Sequence, residues 1–187
     1  MLDLIYEDAK DRMDKAVSVT VEEFSKLRTG KATPAIVEHV KVNAYGSLVP
    51  MNQVANIGTP DATLLVVNPF DKSLVGPIEK AIISADLGLN PSNDGQIIRI
   101  PIPSLSEERR KELVKVSHRY AEEGRVAVRN IRRDANDQIK KAEKDEDGGI
   151  SEDEMHRALD RVQELTNQQI ERIDELLKKK EEQILEV

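Results

Sequence analysis

The arginines of one segment are the side chains best suited to binding chemistry in this sequence. Drawn as an α-helix at 3.6 residues per turn, four of them fall within an arc of about 100°: Arg125, Arg129, Arg132 and Arg133. A planar guanidinium donates paired hydrogen bonds to phosphate oxygens, and like charges four residues apart repel each other on a helix. This clustering therefore favours binding of RNA or another polyanion over a self-neutralised surface.

Other bases extend the same edge of the predicted helix: Lys111, Lys115, His118 and Lys140. Residues 107–141 hold 11 basic and 7 acidic groups, whereas residues 142–187 hold 7 basic and 15 acidic groups. The apolar stripe of the helix is centred elsewhere, so we expect the arginines to project into water; an exposed face with intrahelical ion pairs is the alternative. Because the net charge is −7, binding should occur only where this face docks on structured RNA.

The residue patterns of common enzymes are missing. Gly30-Lys31 resembles the end of a phosphate-binding loop, but that motif needs glycine at Ser25 and a hydroxyl at Ala32. The three histidines lie in separate segments, and the chain has no cysteine, which excludes disulfides and thiolate metal sites. We therefore predict no enzymatic activity, no cofactor and no metal.

One acidic segment matches a calcium-binding loop in part. Residues 143–154 carry acids at positions 1, 3 and 5, glycine at position 6 and glutamate at position 12. Position 1 is Glu143 instead of the shorter aspartate, and no second loop exists. A helix-to-helix turn with solvated acids, in which Gly148, Gly149 and Ser151 supply caps, is the preferred interpretation.

Proline placement divides the chain. All eight prolines lie between Pro34 and Pro103, and proline disrupts helix interiors, so both flanks can form long helices. The first flank has apolar or small residues at helical spacing, namely Leu2, Ile5, Ala9, Met13, Ala16, Thr20, Phe24 and Leu27. The second helix follows Ser106, and the third starts at a capping box, Ser151 to Glu154. Three such amphipathic helices predict an antiparallel three-helix bundle formed by residues 1–29 and 105–187.

The segment between the first two helices reads as a small α+β domain over residues 31–103. Alternation at 39–43, and β-branched or apolar runs at 54–57 and 63–67, predict strands, and 96–100 predicts a closing strand. Leu74, Ile78, Ala81 and Ile82 predict an amphipathic helix. Two chain crossings join the domains and predict a hinge at 29–31 and 101–105, with a rigid elbow as the alternative; its candidate residues are Thr29, Gly30, Lys31, Pro101, Ile102, Pro103 and Ser104.

Several segments resemble the bacterial ribosome recycling factor family, in the family's order along the whole chain. The arginine-rich stretch 126–137 matches the family's basic helix, and 27–32 matches its first hinge. Further matches are Glu79-Lys80-Ala81-Ile82, residues 84–91 and residues 107–110. The chain is identified as a member of that family.

The resemblance implies an L-shaped, tRNA-like molecule that enters the ribosome after termination. It implies that the bundle lies on large-subunit ribosomal RNA, and that elongation factor G, hydrolysing GTP, moves the small domain to split the 70S subunits and release mRNA and tRNA. Carried onto this chain, Arg129, Arg132 and Arg133 are the expected RNA contacts, with Arg110 and Arg28 secondary. A monomeric, cytoplasmic protein without a membrane segment is expected.

A helical scaffold or chaperone is the competing class of function. Such a protein would use its apolar stripes for protein contacts, and it would tolerate charge reversal at Arg132. An RNA-binding factor would lose ribosome binding on the same change while its bundle stayed folded.

Overall fold

The computed structural model describes residues 1–145 and 149–186. Contacts between residues divide the chain into two compact units. The first unit combines Met1–Arg28 with Glu107–Val187, and the second is Thr29–Ser106. The small unit is thus inserted in sequence between two helices of the first.

The first unit is a bundle of three long helices. Helices are numbered in chain order, and α2 belongs to the second unit. Helix α1 spans Leu2–Ser25, α3 spans Glu107–Glu143 and α4 spans Glu152–Leu185. Each packs against the other two. The prediction of a mixed fold with a helical N-terminus and C-terminus is confirmed. Ser151 caps α4 through the predicted capping box with Glu154.

The buried stripe of α3 is formed mainly by small residues at its centre. Ser117, Ala121, Gly124 and Val128 are buried, whereas the larger Val116 and Tyr120, together with Ala127, are half-buried. Helix α3 packs against two helices at once, so its small side chains face the line where the neighbours approach and the bulkier ones flank it.

The helices approach closely at Gly124. A Cβ atom added there would lie 2.3 Å from Thr20 Oγ1 and 3.2 Å from Ile173 Cδ1. Both distances are shorter than ordinary van der Waals contact. The bundle therefore needs glycine at this crossing of α1, α3 and α4.

The second unit is a small α+β domain. Strands β1 (Lys41–Ala44) and β2 (Ser47–Pro50) form an antiparallel hairpin. A separate antiparallel sheet has the order β3-β4-β6-β5; its strands are Ala55–Asp61, Leu64–Pro69, Ile98–Pro101 and Ser92–Asn93 in that order. Helix α2 (Val75–Ser84) packs against β1, and one apolar core lies beneath these elements, with Val42, Leu65, Val67, Ile78 and Ile98 fully buried.

Two further sequence hypotheses concern metals and membranes. Glycine 148, expected to end a helix and to fill position 6 of the calcium-type loop, lies outside the described residues, as do residues 146 and 147. In the part of the chain that the structure describes, no group of three histidine or acidic side chains is arranged to hold a metal ion.

None of the described helices combines the length and apolar character needed to cross a bilayer.

Candidate nucleic-acid interface

Helix α3 distributes its four clustered arginines over two faces. Arg125 and Arg132 are seven residues apart and both reach side chains of α4. Around the helix, Arg129 lies about 40° and Arg133 about 80° from Arg125, towards solvent. We call Arg129, Arg132 and Arg133 together the arginine surface.

Arg125 departs from the expectation that the arginines project into water. Its side chain is only 19% exposed, with Nε 2.8 Å and Nη2 2.5 Å from Asp174 Oδ1 and Nη1 3.0 Å from Glu122 Oε2. Burial lowers the pKa of Arg125, but hydrogen bonds to Asp174 and Glu122 outweigh it and leave the pKa raised. The expectation that Arg125 projects into water is wrong because α4 places a carboxylate opposite it, which the spacing within α3 cannot reveal.

Arg129 shares an acidic neighbour with Arg125. Its Nη1 lies 3.0 Å from Glu122 Oε1, and its side chain is 38% exposed. Hydrogen bonds from Arg129 and then from Arg125 lower the pKa of Glu122, which keeps the carboxylate charged. One carboxylate therefore serves two guanidinium groups, and Arg129 remains partly accessible.

Arg132 and Arg133 keep their positive charge without an acidic partner. Arg132 Nη1 donates to the uncharged Gln163 Oε1 at 3.1 Å. Arg133 is exposed, and within residues 1–145 and 149–186 no carboxylate oxygen lies within 4.0 Å of either guanidinium. These two residues and Arg129 give the surface a net positive charge suited to phosphate.

The bases expected to extend this surface divide into paired and unpaired groups. Lys111 pairs with Glu107 at 2.9 Å and His118 contacts Glu181. Lys115 and Lys140 are exposed and have no acid within 4.0 Å among the described residues.

The secondary candidates lie away from the arginine surface. Arg110 is half-buried in the first turn of α3, about 28 Å along the helix axis from Arg129 at 1.5 Å per residue. Arg28 follows the end of α1. Because Thr20 packs on Gly124 while Arg12 pairs with Asp134, α1 runs antiparallel to α3, and Arg28 lies towards the end where α3 begins. The structure therefore does not bring either residue to the arginine surface.

The predicted hinge segments are held partly within the small unit. Gly30 has a φ of +75°, and a Cβ there would lie 3.1 Å from the side chain of Leu105. Ala32 N–H donates to Ala62 O, and Ile102 N–H donates to Thr63 O, both at 2.7 Å. Pro101 is the last residue of β6. Both segments are thus bonded to the turn between β3 and β4.

The residues of α4 that contact the clustered arginines were not predicted from the sequence. Asp174, Gln163 and Asn167 belong to a helix whose register against α3 is set by packing of both helices. The seven-residue spacing of His118, Arg125 and Arg132 could have marked a seam facing a partner helix. It could not have identified which residues of α4 stand opposite.

Comparisons with known proteins agree along the whole chain. The sequence model of the family described as ribosome recycling factor matches residues 20–185. The chain is 54% identical over 180 residues to the ribosome-recycling factor of Shouchella clausii, with 96% of each chain covered. It is 55% identical to that of Symbiobacterium thermophilum, with 98% of each covered, and 51% identical to that of Bacillus subtilis, with 95% of each covered.

Two solved structures are similar to the whole chain. A solution structure of the ribosome recycling factor is 44% identical with a TM-score of 0.80, and the match covers 100% of this chain and 98% of that one. The second consists of models for the T. thermophilus ribosome recycling factor and the E. coli elongation factor G bound to the E. coli post-termination complex. It is 47% identical, with 99% of both chains covered and a TM-score of 0.65.

These matches define the class of protein first. The chain is a non-enzymatic translation factor with a mixed α+β fold. Within that class, it belongs to the ribosome recycling factor family.

Proposed function

We propose that this chain recycles ribosomes after termination. It binds the 70S ribosome through large-subunit ribosomal RNA and, with elongation factor G and its GTP hydrolysis, splits the subunits so that mRNA and tRNA are released. The observation that carries this proposal is similarity over 99% of the chain to the factor placed with elongation factor G on a post-termination complex. The chain works as a monomer in the cytoplasm, where its ribosomal partner is found.

The arginine surface is the part of the bundle that contacts RNA in this proposal. Arg132 and Arg133 have no carboxylate partner within the described chain, and Arg129 shares one. Arg125 supports the surface from within, because Asp174 and Glu122 already occupy its guanidinium. Arg110 and Arg28 contribute at a separate place, nearer the small unit in sequence.

In this proposal the joint between the units lies at their boundaries, near residues 28–29 and 106–107. Pro101 and Ile102 move with the small unit, since β6 and the bond to Thr63 hold them there. Thr29, Gly30, Lys31, Pro103 and Ser104 remain the candidate segments around the joint. In this proposal the bundle stays on RNA while elongation factor G displaces the small unit.

Charge reversal on the arginine surface tests the proposal. We expect Arg132→Glu to reduce cosedimentation with vacant ribosomes at two salt concentrations and to reduce subunit splitting with elongation factor G and GTP. The bundle should stay folded by circular dichroism, because the site is at the surface. Arg157→Glu makes the same charge change at an exposed position of α4 and should bind normally. Undiminished binding by Arg132→Glu would favour the scaffold function instead.

A further inference from the structure

A row of basic side chains on α3 meets a row of polar side chains on α4 along their seam. His118, Arg125 and Arg132 recur every seven residues and contact three residues of α4 in antiparallel order: Glu181, Asp174 and Gln163. The first two partners are carboxylates. The third is an amide, at the position where the seam borders the arginine surface.

The amide is itself held in one orientation. Gln163 Nε2 donates to Asn167 Oδ1 at 2.9 Å, and this bond turns Gln163 Oε1 towards Arg132 Nη1 at 3.1 Å. Both residues lie on α4, one turn apart, where such pairs are neighbours on the helix surface. The orientation of Arg132 is therefore set by a chain of two hydrogen bonds from residues that carry no charge.

An amide and a carboxylate differ in what they do to a neighbouring guanidinium. Either oxygen accepts a hydrogen bond and restricts the rotamers of a long side chain, which reduces the entropy lost when that side chain later binds a ligand. A carboxylate also cancels the positive charge and competes with phosphate for the N–H donors. The amide positions Arg132 and leaves its charge available.

We infer that Gln163, oriented by Asn167, is a positioning residue that holds Arg132 for phosphate binding while keeping it un-neutralised. The inference rests on the proposed binding of ribosomal RNA by the arginine surface. It adds that an uncharged residue on α4, outside the basic helix, contributes to the affinity of that surface. The carboxylates of Asp174 and Glu181 hold α3 and α4 together, whereas the amide of Gln163 positions Arg132 for the ligand.

The test compares matched variants of the full-length chain for affinity to vacant ribosomes across a salt series and for thermal unfolding. Gln163→Glu should weaken binding about fivefold, because an exposed ion pair now competes with phosphate. The slope of log affinity against log salt should become shallower by roughly one, since one fewer counterion is released. Its Tm should stay the same or rise. Gln163→Ala should weaken binding by about twofold with an unchanged slope, as expected for lost pre-organisation.

Gln168→Glu is the matched control. It makes the identical chemical change five residues further along α4, at an exposed position about 140° around the helix, and should bind like the unmodified chain. Equal binding by Gln163→Glu and Gln168→Glu would overturn the inference. So would a parallel loss of Tm and affinity in Gln163→Glu, which would indicate a purely structural role.

Arg132→Ala separates this inference from the proposed function. If Arg132→Ala binds ribosomes normally, the proposed RNA surface is wrong and the role of Gln163 is refuted with it. If Arg132→Ala binds weakly while Gln163→Glu is unaffected, the RNA surface stands and the positioning role alone is refuted.

Discussion

At the residue scale, the positive charge of the arginine surface depends on Glu122. Its carboxylate accepts from both Arg125 and Arg129 at 3.0 Å, and these bonds lower its pKa. It therefore stays charged at neutral pH and subtracts one positive charge from the surface. Arg125 has Asp174 as a second anchor, so removing the charge at Glu122 should affect Arg129 most.

We expect Glu122→Gln to bind ribosomes more tightly than the unmodified chain. The salt dependence of binding should steepen by roughly one unit, because Arg129 can then neutralise a phosphate. Filter binding or sedimentation over a salt series measures both quantities. Weaker binding with an unchanged slope would show instead that Glu122 is needed to orient Arg129.

Gly124 is a second residue whose identity matters, because the helices pack closely around it. Gly124→Ala should lower the free energy of unfolding by about 1–3 kcal/mol, because its Cβ would overlap Thr20 Oγ1 in a tightly packed core. Urea denaturation followed by circular dichroism measures the change. The double variant with Thr20→Ala should recover most of the loss, since the overlapping oxygen is removed.

Gly76→Ala is the control for helix propensity. Gly76 lies in α2, and a Cβ there has no heavy atom within 4 Å. It should leave stability unchanged or raise it by up to about 1 kcal/mol. An equal loss in Gly76→Ala and Gly124→Ala would contradict the packing explanation.

At the scale of elements, the turn that leads into β6 is held by one carboxylate. Asp94 accepts from the backbone N–H groups of Ile97 and Gln96 and from Arg99 Nη1, each at 3.0 Å. The bond from Ile97, then those from Gln96 and Arg99, lower the pKa of Asp94 to about 2 from a usual value of 3.8. The charged carboxylate thus ties two backbone N–H groups and one side chain together in this turn.

The sign of the resulting pH dependence follows from the direction of that shift. A folded-state pKa below the unfolded one contributes stability above pH 3.8, and this contribution is lost as the pH falls towards 2. We expect Asp94→Asn to show a smaller decrease in stability over this range than the unmodified chain. Urea denaturation at several acidic pH values measures this, and an NMR titration of Asp94 with a midpoint near 4 would contradict it.

At the scale of the whole molecule, the proposed function requires the bundle and the small unit to act on one another through two chain crossings. The units meet at residues 28–29 and 106–107, while Ala32 and Ile102 are bonded to the turn between β3 and β4. In the proposed function, a force on the small unit therefore reaches the bundle through the two short segments that connect the units.

Inserting three glycines after Arg28 and three after Leu105 should separate binding from splitting. Ribosome affinity should stay within about twofold, because the arginine surface is unchanged, whereas subunit splitting with elongation factor G should fall at least tenfold, because flexible linkers transmit little force. Light scattering measures the splitting. Normal splitting by this variant would exclude mechanical transmission through the crossings.

The sequence by itself determined the three long helices, the helix α2 and most of the strands. Proline confined to residues 34–103, helical apolar spacing on both flanks and the capping box at Ser151 are local signals, because helix formation depends on neighbours three and four residues apart. The strands β2 and β5 were not predicted. Ser47–Pro50 and Ser92–Asn93 are too short and too exposed to show an apolar alternation.

Only the tertiary structure decided which arginines have an acidic partner and which do not. Arg125 is neutralised by Asp174, 49 residues away, and Arg132 is held by Gln163, 31 residues away. Those pairings depend on the register between α3 and α4, which the packing of their buried side chains sets. A periodicity within one helix predicts the face on which a residue lies, but the residue opposite belongs to another helix, so its charge becomes known only when the two are packed together.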